Sequence, residues 1–140
     1  MKITKDVFNV IDGAIMPTIA TDKSVGFDLY ATDDGELYQG TSAILGTGVS
    51  LNMPDGYFAM VCSRSGLAAK SQTFVLNAPG IIDADYKDEL KVIIFNAGYR
   101  PFIWKKGDRI AQLVFVEMPV IAEELLPSES RVGGLGSTGK

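Results

Sequence analysis

The sequence contains no histidine and only one cysteine, Cys62. Without histidine, Ser-His-Asp and Cys-His mechanisms are excluded, and so are zinc sites that need histidine. A single cysteine forms no intrachain disulfide, and it cannot complete the zinc site of the nucleobase deaminases. If the chain is an enzyme, we therefore expect a carboxylate as its base. A bound metal would be a hard cation with oxygen ligands, with Mg²⁺ as the first candidate.

Long apolar runs are also missing. Residues 1–6 lead into no long apolar stretch, so we expect no signal peptide, no transmembrane helix and no membrane partner. The expected location is the cytoplasm, or the host cytoplasm if the source is viral. A formal net charge of −4 argues against nucleic acid as a partner, because a nucleic-acid surface needs clustered lysine and arginine. A small anionic ligand remains compatible, since a few arginines bind phosphate locally.

The composition that remains is globular: 140 residues, 46% of them hydrophobic, are enough for one domain with its own core. Short apolar or alternating runs recur between turn signals, which predicts an all-β sandwich or jelly roll. The predicted strands are residues 26–31, 43–51, 57–62, 73–76, 89–95, 102–104 and 109–117. One short helix is predicted over residues 65–70, with Ser65 as its N-cap. Cys62 ends an apolar run and is interpreted as a small core residue.

Residues 77–86 carry the most informative pattern. A turn pair, Pro79-Gly80, is followed by an acid, Asp83, and then by an aromatic residue, Tyr86, between two apolar strand runs. A hairpin of this kind can hold a flat ligand against backbone groups and place a carboxylate and a ring beside it. Asp83 is the candidate base that activates water for attack on phosphorus. Spacing alone also allows a turn aspartate at this position and an ordinary strand aromatic at Tyr86.

Other segments suit phosphate and metal binding. Arg64-Ser65-Gly66 offers a guanidinium, a hydroxyl and close backbone approach to phosphate oxygens. Gln112 could donate an amide N–H to phosphate, or it could face solvent from a strand. Asp28 could orient the water shell of a metal, or it could pair with a neighbouring cation.

The C-terminal segment differs from the rest in being polar and glycine-rich. We therefore divide the chain into a domain, 1–126, and a tail, 127–140. The glycines that follow Arg131 are similar to a phosphate-cradling loop, although the lysine of a P-loop is missing. A disordered end is the alternative interpretation of such a composition.

Five motifs in this order resemble the homotrimeric dUTPases (deoxyuridine 5′-triphosphate nucleotidohydrolases) over nearly the whole chain. They are Val25-Gly26-Phe27-Asp28-Leu29-Tyr30-Ala31, Ser63-Arg64-Ser65-Gly66-Leu67-Ala68, the hairpin 77–86, Gly107-Asp108-Arg109-Ile110-Ala111-Gln112-Leu113, and the glycine-rich tail. The resemblance implies a jelly-roll subunit with one short helix and a threefold homotrimer with shared active sites. It also implies hydrolysis of dUTP to dUMP and pyrophosphate, which keeps uracil out of DNA and supplies dUMP for dTMP synthesis.

The resemblance implies roles for single residues as well. Asp83 would activate water for attack at the α-phosphorus, and Tyr86 would pack under the deoxyribose and exclude a 2′-hydroxyl. Asp28 would act through metal-bound water, with Mg²⁺ as the cofactor. The tail would close over a neighbouring subunit's site. The residues implied to bind dUTP are Arg64, Ser65, Gly66, Asn77, Gly80, Ile81, Ile82, Asp83, Tyr86, Lys91, Gln112, Arg131, Leu135, Gly136 and Ser137.

Four positions depart from the family pattern. Leu135 replaces a usual phenylalanine, so the tail loses aromatic overlap with the base, which is worth on the order of 1 kcal/mol. Arg131 lies four residues before Leu135, one fewer than usual. Ser63 replaces a proline and is expected to loosen its loop. Lys87-Asp88 replaces a pair that ends in glycine, so Asp88 must adopt whatever backbone angle the glycine served.

Three other functions are compatible with parts of the sequence. A dCTP deaminase of the same fold, including the bifunctional kind, would need a catalytic glutamate on the strand after the hairpin, and residues 90–96 contain no carboxylate. A non-catalytic nucleotide sensor or protein-binding relative would bind dUTP without releasing pyrophosphate. A purely structural β-sandwich would leave the five ordered motifs unexplained.

Overall fold

In a computed structural model, which describes residues 2–128, most of the regular secondary structure is β-strand. The strands are β1 (Phe8–Val10), β2 (Thr18–Ile19), β3 (Gly26–Tyr30), β4 (Gly35–Leu37), β5 (Ser42–Gly46), β6 (Val49–Leu51), β7 (Tyr57–Cys62), β8 (Thr73–Val75), β9 (Gly80–Ile82), β10 (Lys91–Asn96), β11 (Phe102–Trp104) and β12 (Arg109–Glu117). One α-helix, α1 (Ser65–Ser71), and two short 3₁₀ helices, Lys5–Val7 and Glu123–Leu125, complete the described elements.

Two antiparallel sheets enclose the core. The larger has the strand order β2-β3-β12-β7-β9, and the smaller has the order β5-β10-β8. Leu29 and Leu113 from the larger sheet join Val92 and Ile94 from the smaller in one cluster of fully buried side chains. Burying each such side chain contributes about 1.5–3 kcal/mol. The paired strands β1-β6 and β4-β11 complete a jelly-roll-like β fold, as the sequence predicted.

Each of the seven predicted segments forms β structure, and three strands have the predicted bounds: β7, β11 and β12. The predicted strand 43–51 is two strands, because the chain turns at Gly48, whose φ is +70°. The sequence patterns missed β1, β2, β4 and β9, which have only two or three residues each and show too little alternation to detect. Within residues 2–128, none of the helices has the length and apolar character needed to span a bilayer.

The short helix forms where it was predicted, but Ser65 is not its N-cap. Arg64 occupies that position with extended backbone, and no side chain caps the helix. The helix ends at Gln72, which takes the left-handed conformation with φ 47°. Gln72 is the only non-glycine residue with positive φ among the described residues, so Asp88 adopts an ordinary backbone angle in place of the family's glycine.

The predicted hairpin is confirmed in its flanking strands and differs in its loop. β8 and β10 pair with Val75 opposite Ile94, and residues 76–90 connect them. Within this connection β9 leaves the smaller sheet and pairs with β7 at the edge of the larger one. The side of β9 that faces away from β7 is a sheet edge, where backbone N–H and C=O groups point outward.

Candidate active site

Asp83 follows the edge strand β9 and lines an open groove of about 930 Å³. Phe58 from β7 and Met118, which follows β12, form apolar parts of its wall, and the chain at Leu126 borders it. Ile81 lies beside the same groove and is 56% exposed. The groove therefore combines a carboxylate, an apolar wall and a strand edge, which suits a flat polar ligand.

Tyr86 is held at two points close to Asp83. Its backbone N–H donates to the Asp83 carbonyl oxygen at 3.1 Å, and its hydroxyl donates to the Glu89 carbonyl oxygen at 2.8 Å. The ring is half-buried against the core. Burial, followed by the nearby charges of Asp88 and Glu89, raises the pKa of Tyr86 above its usual value. The hydroxyl therefore stays protonated and remains a donor at neutral pH.

Asn77 and Gly80 are brought into contact at the start of β9. A Cβ on Gly80 would lie 3.1 Å from Asn77 Nδ2 and 3.6 Å from its Oδ1, so the missing side chain leaves room for the Asn77 amide. The amide thus lies over the backbone of the edge strand. This arrangement places a side-chain donor and acceptor beside the outward-facing peptide groups of β9.

A second cluster forms where β3, β12 and the loop before α1 meet. Asp28 lies between two guanidinium groups: its Oδ1 is 3.7 Å from Arg64 Nε and its Oδ2 is 3.7 Å from Arg109 Nη1. Arg64 Nη1 also donates to the Arg109 carbonyl oxygen at 3.3 Å. Asp28 therefore pairs with cations, one of the two alternatives that its sequence context allowed. The two arginines give this region the charge that phosphate groups require.

Gln112 and Ser63 complete this cluster. Gln112 Nε2 donates to the Ser63 carbonyl oxygen at 2.9 Å, and Ser63 Oγ accepts the Val75 N–H at 3.0 Å. Gln112 lies across Gly26, where any side chain would collide with it. The Ser63 hydroxyl ties the loop to β8 by a hydrogen bond that the usual proline could not make. The expected loosening of this loop stays a prediction.

The remaining predicted site residues lie in three places. Ser65 and Gly66 open helix α1, and a Cβ on Gly66 would meet nothing within 4 Å, so the space there is open to a ligand. Ile82 ends β9, and Lys91 begins β10 with its side chain exposed. The predictions for the tail fall outside the described residues: Arg131, Leu135, Gly136 and Ser137.

The two halves of the predicted site lie far apart within one chain. Ile82 pairs with Ala59, so Asp83 lies beside Phe58, whereas Ser63 follows the opposite end of β7. The five residues from Phe58 to Ser63 span roughly 16 Å of extended strand. The Arg64 side chain also points away from β9, towards β12 and β3. Asp83 and the arginine cluster of one chain therefore lie at opposite ends of β7.

Sequence reasoning missed two contributors to these regions. Arg109 was part of a quoted motif without a role of its own, yet its guanidinium lies beside Asp28. The signal that could have found it is the register of β12 on β3, which places Arg109 opposite Tyr30, two residues from the acid. Phe58 was missed because β9 was missed, and only the β7–β9 pairing brings it beside Asp83.

The described residues contain no group of three or more acidic or cysteine side chains that could hold a metal by themselves. Asp28 is already paired with two arginines and is 21% exposed. A hard cation beside Asp28 would therefore take most of its oxygen ligands from phosphate groups and water, with Asp28 contacting it through water. Cys62 is half-buried, and its burial raises its pKa, so it lacks the character of an activated thiolate.

The fold and these two clusters define a class: a jelly-roll-like β protein with a carboxylate groove at one sheet edge and an arginine-rich cluster suited to phosphate. A profile of the dUTPase family matches residues 12–139. The deoxyuridine 5′-triphosphate nucleotidohydrolase of Anaplasma marginale (strain St. Maries) is 44% identical over 133 residues, which is 91% of this chain and 90% of that protein. The enzyme of the same name from Dictyoglomus turgidum is 42% identical over 132 residues, which is 89% of this chain and 90% of the relative.

Solved structures give the same fold. A dUTPase from phage phi11 of S. aureus, in a structure that shows the coordination of a structural Mg(II) ion, is 22% identical with a TM-score of 0.75, and the match covers 91% of this chain and 96% of that one. A Staphylococcus bacteriophage 80alpha dUTPase with dUpNHpp is 23% identical with a TM-score of 0.76, covering 95% and 97%. The chain belongs to the dUTPase family, which confirms the resemblance drawn from the five motifs.

Proposed function

We propose that this chain hydrolyses dUTP to dUMP and pyrophosphate, with Asp83 as the base for attack of water at the α-phosphorus. Membership of the dUTPase family supports dUTP hydrolysis. The observation that carries the site assignment is that Asp83 directly follows the sheet edge β9 and lines an open groove. In a cell, the reaction keeps uracil out of DNA and supplies dUMP for dTMP synthesis.

The edge strand supports recognition of uracil. Uracil presents an N–H between two carbonyl groups, and the outward-facing peptide groups of β9, whose residues are Gly80, Ile81 and Ile82, offer acceptors and donors to match. The Asn77 amide lies over Gly80 and extends this pattern. Cytosine replaces one of those carbonyls and the N–H with groups of opposite polarity, so the same edge would leave its groups unpaired.

The chemical step needs a proton acceptor near the α-phosphorus. The Asp83 carboxylate would orient a water molecule and accept its proton as the water oxygen bonds to phosphorus and pyrophosphate leaves. Tyr86, fixed by its two hydrogen bonds, would pack under the deoxyribose and leave no room for a 2′-hydroxyl. Lys91, exposed at the start of β10 after the same connection, would add a positive charge near the substrate.

The phosphate chain would bind at the arginine cluster. Arg64 can contribute a guanidinium, Ser65 and Gly66 a hydroxyl and an open backbone, and Gln112 its second amide hydrogen. Asp28 would meet Mg²⁺ through water, and the bound ion would neutralise charge on the phosphate oxygens. The tail, with Arg131 and Leu135 to Ser137, would close over the substrate.

The separation of Asp83 from the arginine cluster supports a homotrimer with shared sites. Because the two regions of one chain lie on opposite ends of β7, one substrate can meet both only if a second copy supplies one of them. Exposed apolar side chains near both regions, Val25 at 70% and Ile81 at 56%, are available for subunit contact. A closed threefold ring would give each subunit the same two contacts.

The direct test is pyrophosphate release with Mg²⁺ from dUTP, measured beside dCTP, dTTP and UTP. We expect release from dUTP alone, at a rate that falls when the metal is chelated. Binding of dUTP without release would replace hydrolysis with nucleotide sensing. Turnover of dCTP would point to the deaminase function, which β10 does not support, because Lys91–Asn96 contains no carboxylate.

The role of Tyr86 predicts a change in sugar selectivity. Replacing Tyr86 by alanine removes the ring under the sugar, so UTP should gain access and the preference for dUTP in kcat/KM should fall by about 10- to 100-fold. Parallel kinetics with dUTP and UTP measure this ratio, and Tyr99→Ala, at a tyrosine that is 92% exposed in another loop, is the control. An unchanged ratio in Tyr86→Ala would mean that another group excludes the ribose.

A further inference from the structure

The connection that carries Tyr86 is anchored by a carboxylate outside the substrate groove. Glu89 Oε2 accepts the Gly48 N–H at 2.8 Å, and Gly48 lies in the buried turn between β5 and β6. The carboxylate has room only because Gly46 has no side chain: a Cβ there would lie 2.7 Å from the same oxygen. The glycine that ends β5 and a backbone donor in the turn after it thus form a fitted place for one acid.

The main chain of Glu89 continues this anchor towards the groove. Its carbonyl oxygen accepts the Tyr86 hydroxyl at 2.8 Å. The next residue, Leu90, is fully buried; its N–H donates to the Val49 carbonyl oxygen at 2.7 Å, and its own carbonyl accepts the Thr47 hydroxyl at 2.8 Å. The Glu89 carbonyl that accepts the Tyr86 hydroxyl is therefore held from two directions. The Glu89 side chain bonds the N–H of Gly48, and the next residue, Leu90, bonds Val49 and Thr47.

We propose that Glu89 is a positioning residue for sugar discrimination, because its carboxylate fixes the backbone carbonyl that holds Tyr86 in place. The inference rests on the proposed function, in which the Tyr86 ring excludes a 2′-hydroxyl. Exclusion of one oxygen atom needs a ring held to within a fraction of an ångström, and a hydrogen bond to a fixed carbonyl supplies that restraint.

The carboxylate itself does not belong to the reacting groups. It points towards Gly46, at the end of β5, and Gly48, in the turn before β6, whereas Asp83 lines the groove beside β7. Removing it should therefore change which sugar is accepted more than how fast dUTP reacts. This split distinguishes positioning from a direct role in the chemistry.

The test compares Glu89→Ala with Glu89→Gln in kcat/KM for dUTP and for UTP. The alanine variant leaves the Gly48 N–H without its acceptor and frees the carbonyl, so the preference for dUTP should fall by about tenfold. Most of the change should come from faster use of UTP, with kcat for dUTP within about threefold of the parent. Glutamine keeps an oxygen acceptor in the same place, so Glu89→Gln should retain the parent preference within about twofold.

Two further variants separate positioning from a general loss of stability. Thr73→Val removes a buried hydroxyl that donates to the Ser71 carbonyl oxygen, at the end of β10 away from Glu89, so it should lower Tm without changing the preference for dUTP. Gly46→Ala places a Cβ 2.7 Å from Glu89 Oε2, which displaces the carboxylate from the Gly48 N–H and should lower the preference as Glu89→Ala does. If Glu89→Ala does not fold, Gly46→Ala decides the matter.

The outcomes also separate this inference from the proposed function. A loss of selectivity in Tyr86→Ala together with full selectivity in Glu89→Ala and Gly46→Ala would overturn the role of Glu89 and leave the function intact. Equal loss in Thr73→Val would overturn it too, since a general loss of stability would then explain the effect. Unchanged selectivity in Tyr86→Ala would overturn the role of Tyr86 in excluding the 2′-hydroxyl. The role of Glu89 in positioning Tyr86 for that purpose would fall with it.

Discussion

An Asp83→Asn variant is expected to bind dUTP and to lose nearly all of its turnover. The amide keeps the size of the carboxylate but cannot accept the proton of the attacking water, and a general base contributes about 10²–10⁴-fold to rate. We expect kcat to fall by about a thousandfold, with the Kd for a non-hydrolysable dUTP analogue within a few-fold of the parent. The carboxylate lies at the end of β9, so the fold itself should be unaffected.

Pyrophosphate release and calorimetric binding measure the two quantities separately. Asp85→Asn is the matched control, because this acid lines the same groove and its replacement removes the same charge. It should lower kcat far less than Asp83→Asn does. Equal loss of binding and turnover in Asp83→Asn would contradict the assignment of the base. A comparable loss of kcat in both variants would mean that the negative charge of the groove, and not a base at Asp83, supports the reaction.

Mixing two inactive variants should restore activity if the sites are shared between subunits. Asp83→Asn lacks the base and Arg64→Ala lacks a phosphate-binding guanidinium, so each alone should be nearly inactive. In purified mixed trimers that contain both kinds of subunit, about one third of the sites should pair an intact Asp83 from one chain with an intact Arg64 from the next. The recovered activity would be far above that of either variant.

Co-expression with two different affinity tags yields such mixed trimers, and light scattering checks their mass. The control is a mixed trimer with both tags on Asp83→Asn subunits, which should stay inactive. No recovery in correctly assembled mixed trimers would place both groups of one site in a single chain. That result would also conflict with the roughly 16 Å of strand that separates them along β7.

Much of the fold was predictable because the longer strands carry their own signal. β12, with nine residues, and β7, with six, are mostly apolar runs bounded by turn residues, so the pattern sets their bounds. The strands that were missed are too short for a period, and β9 is held in place by pairing with β7 rather than by its own sequence. The N-cap was misplaced because Ser65 is a favoured cap residue, yet the chain enters the helix with Arg64 in that position.

Part of the candidate site was predictable for a different reason. Asp83 and Tyr86 are close in sequence, so a local motif was enough to name both. Glu89 was not found, because its partner Gly48 is 41 residues away and a backbone N–H leaves no trace in the sequence. Arg109 was not assigned a role, since its proximity to Asp28 depends on the register of two strands far apart in the chain.

The sequence by itself determined the all-β class, the absence of histidine chemistry and the order of the motifs that place the chain in the dUTPase family. These follow from composition and from local periodicity, which the chain carries residue by residue. Only the tertiary structure decided that β9 lies at a sheet edge, that Asp28 is paired with two arginines, and that Asp83 lies far from them. Such relations depend on strand pairing between distant segments. Local preferences do not select which strands become neighbours, because that choice follows from the free energy of burying the common core.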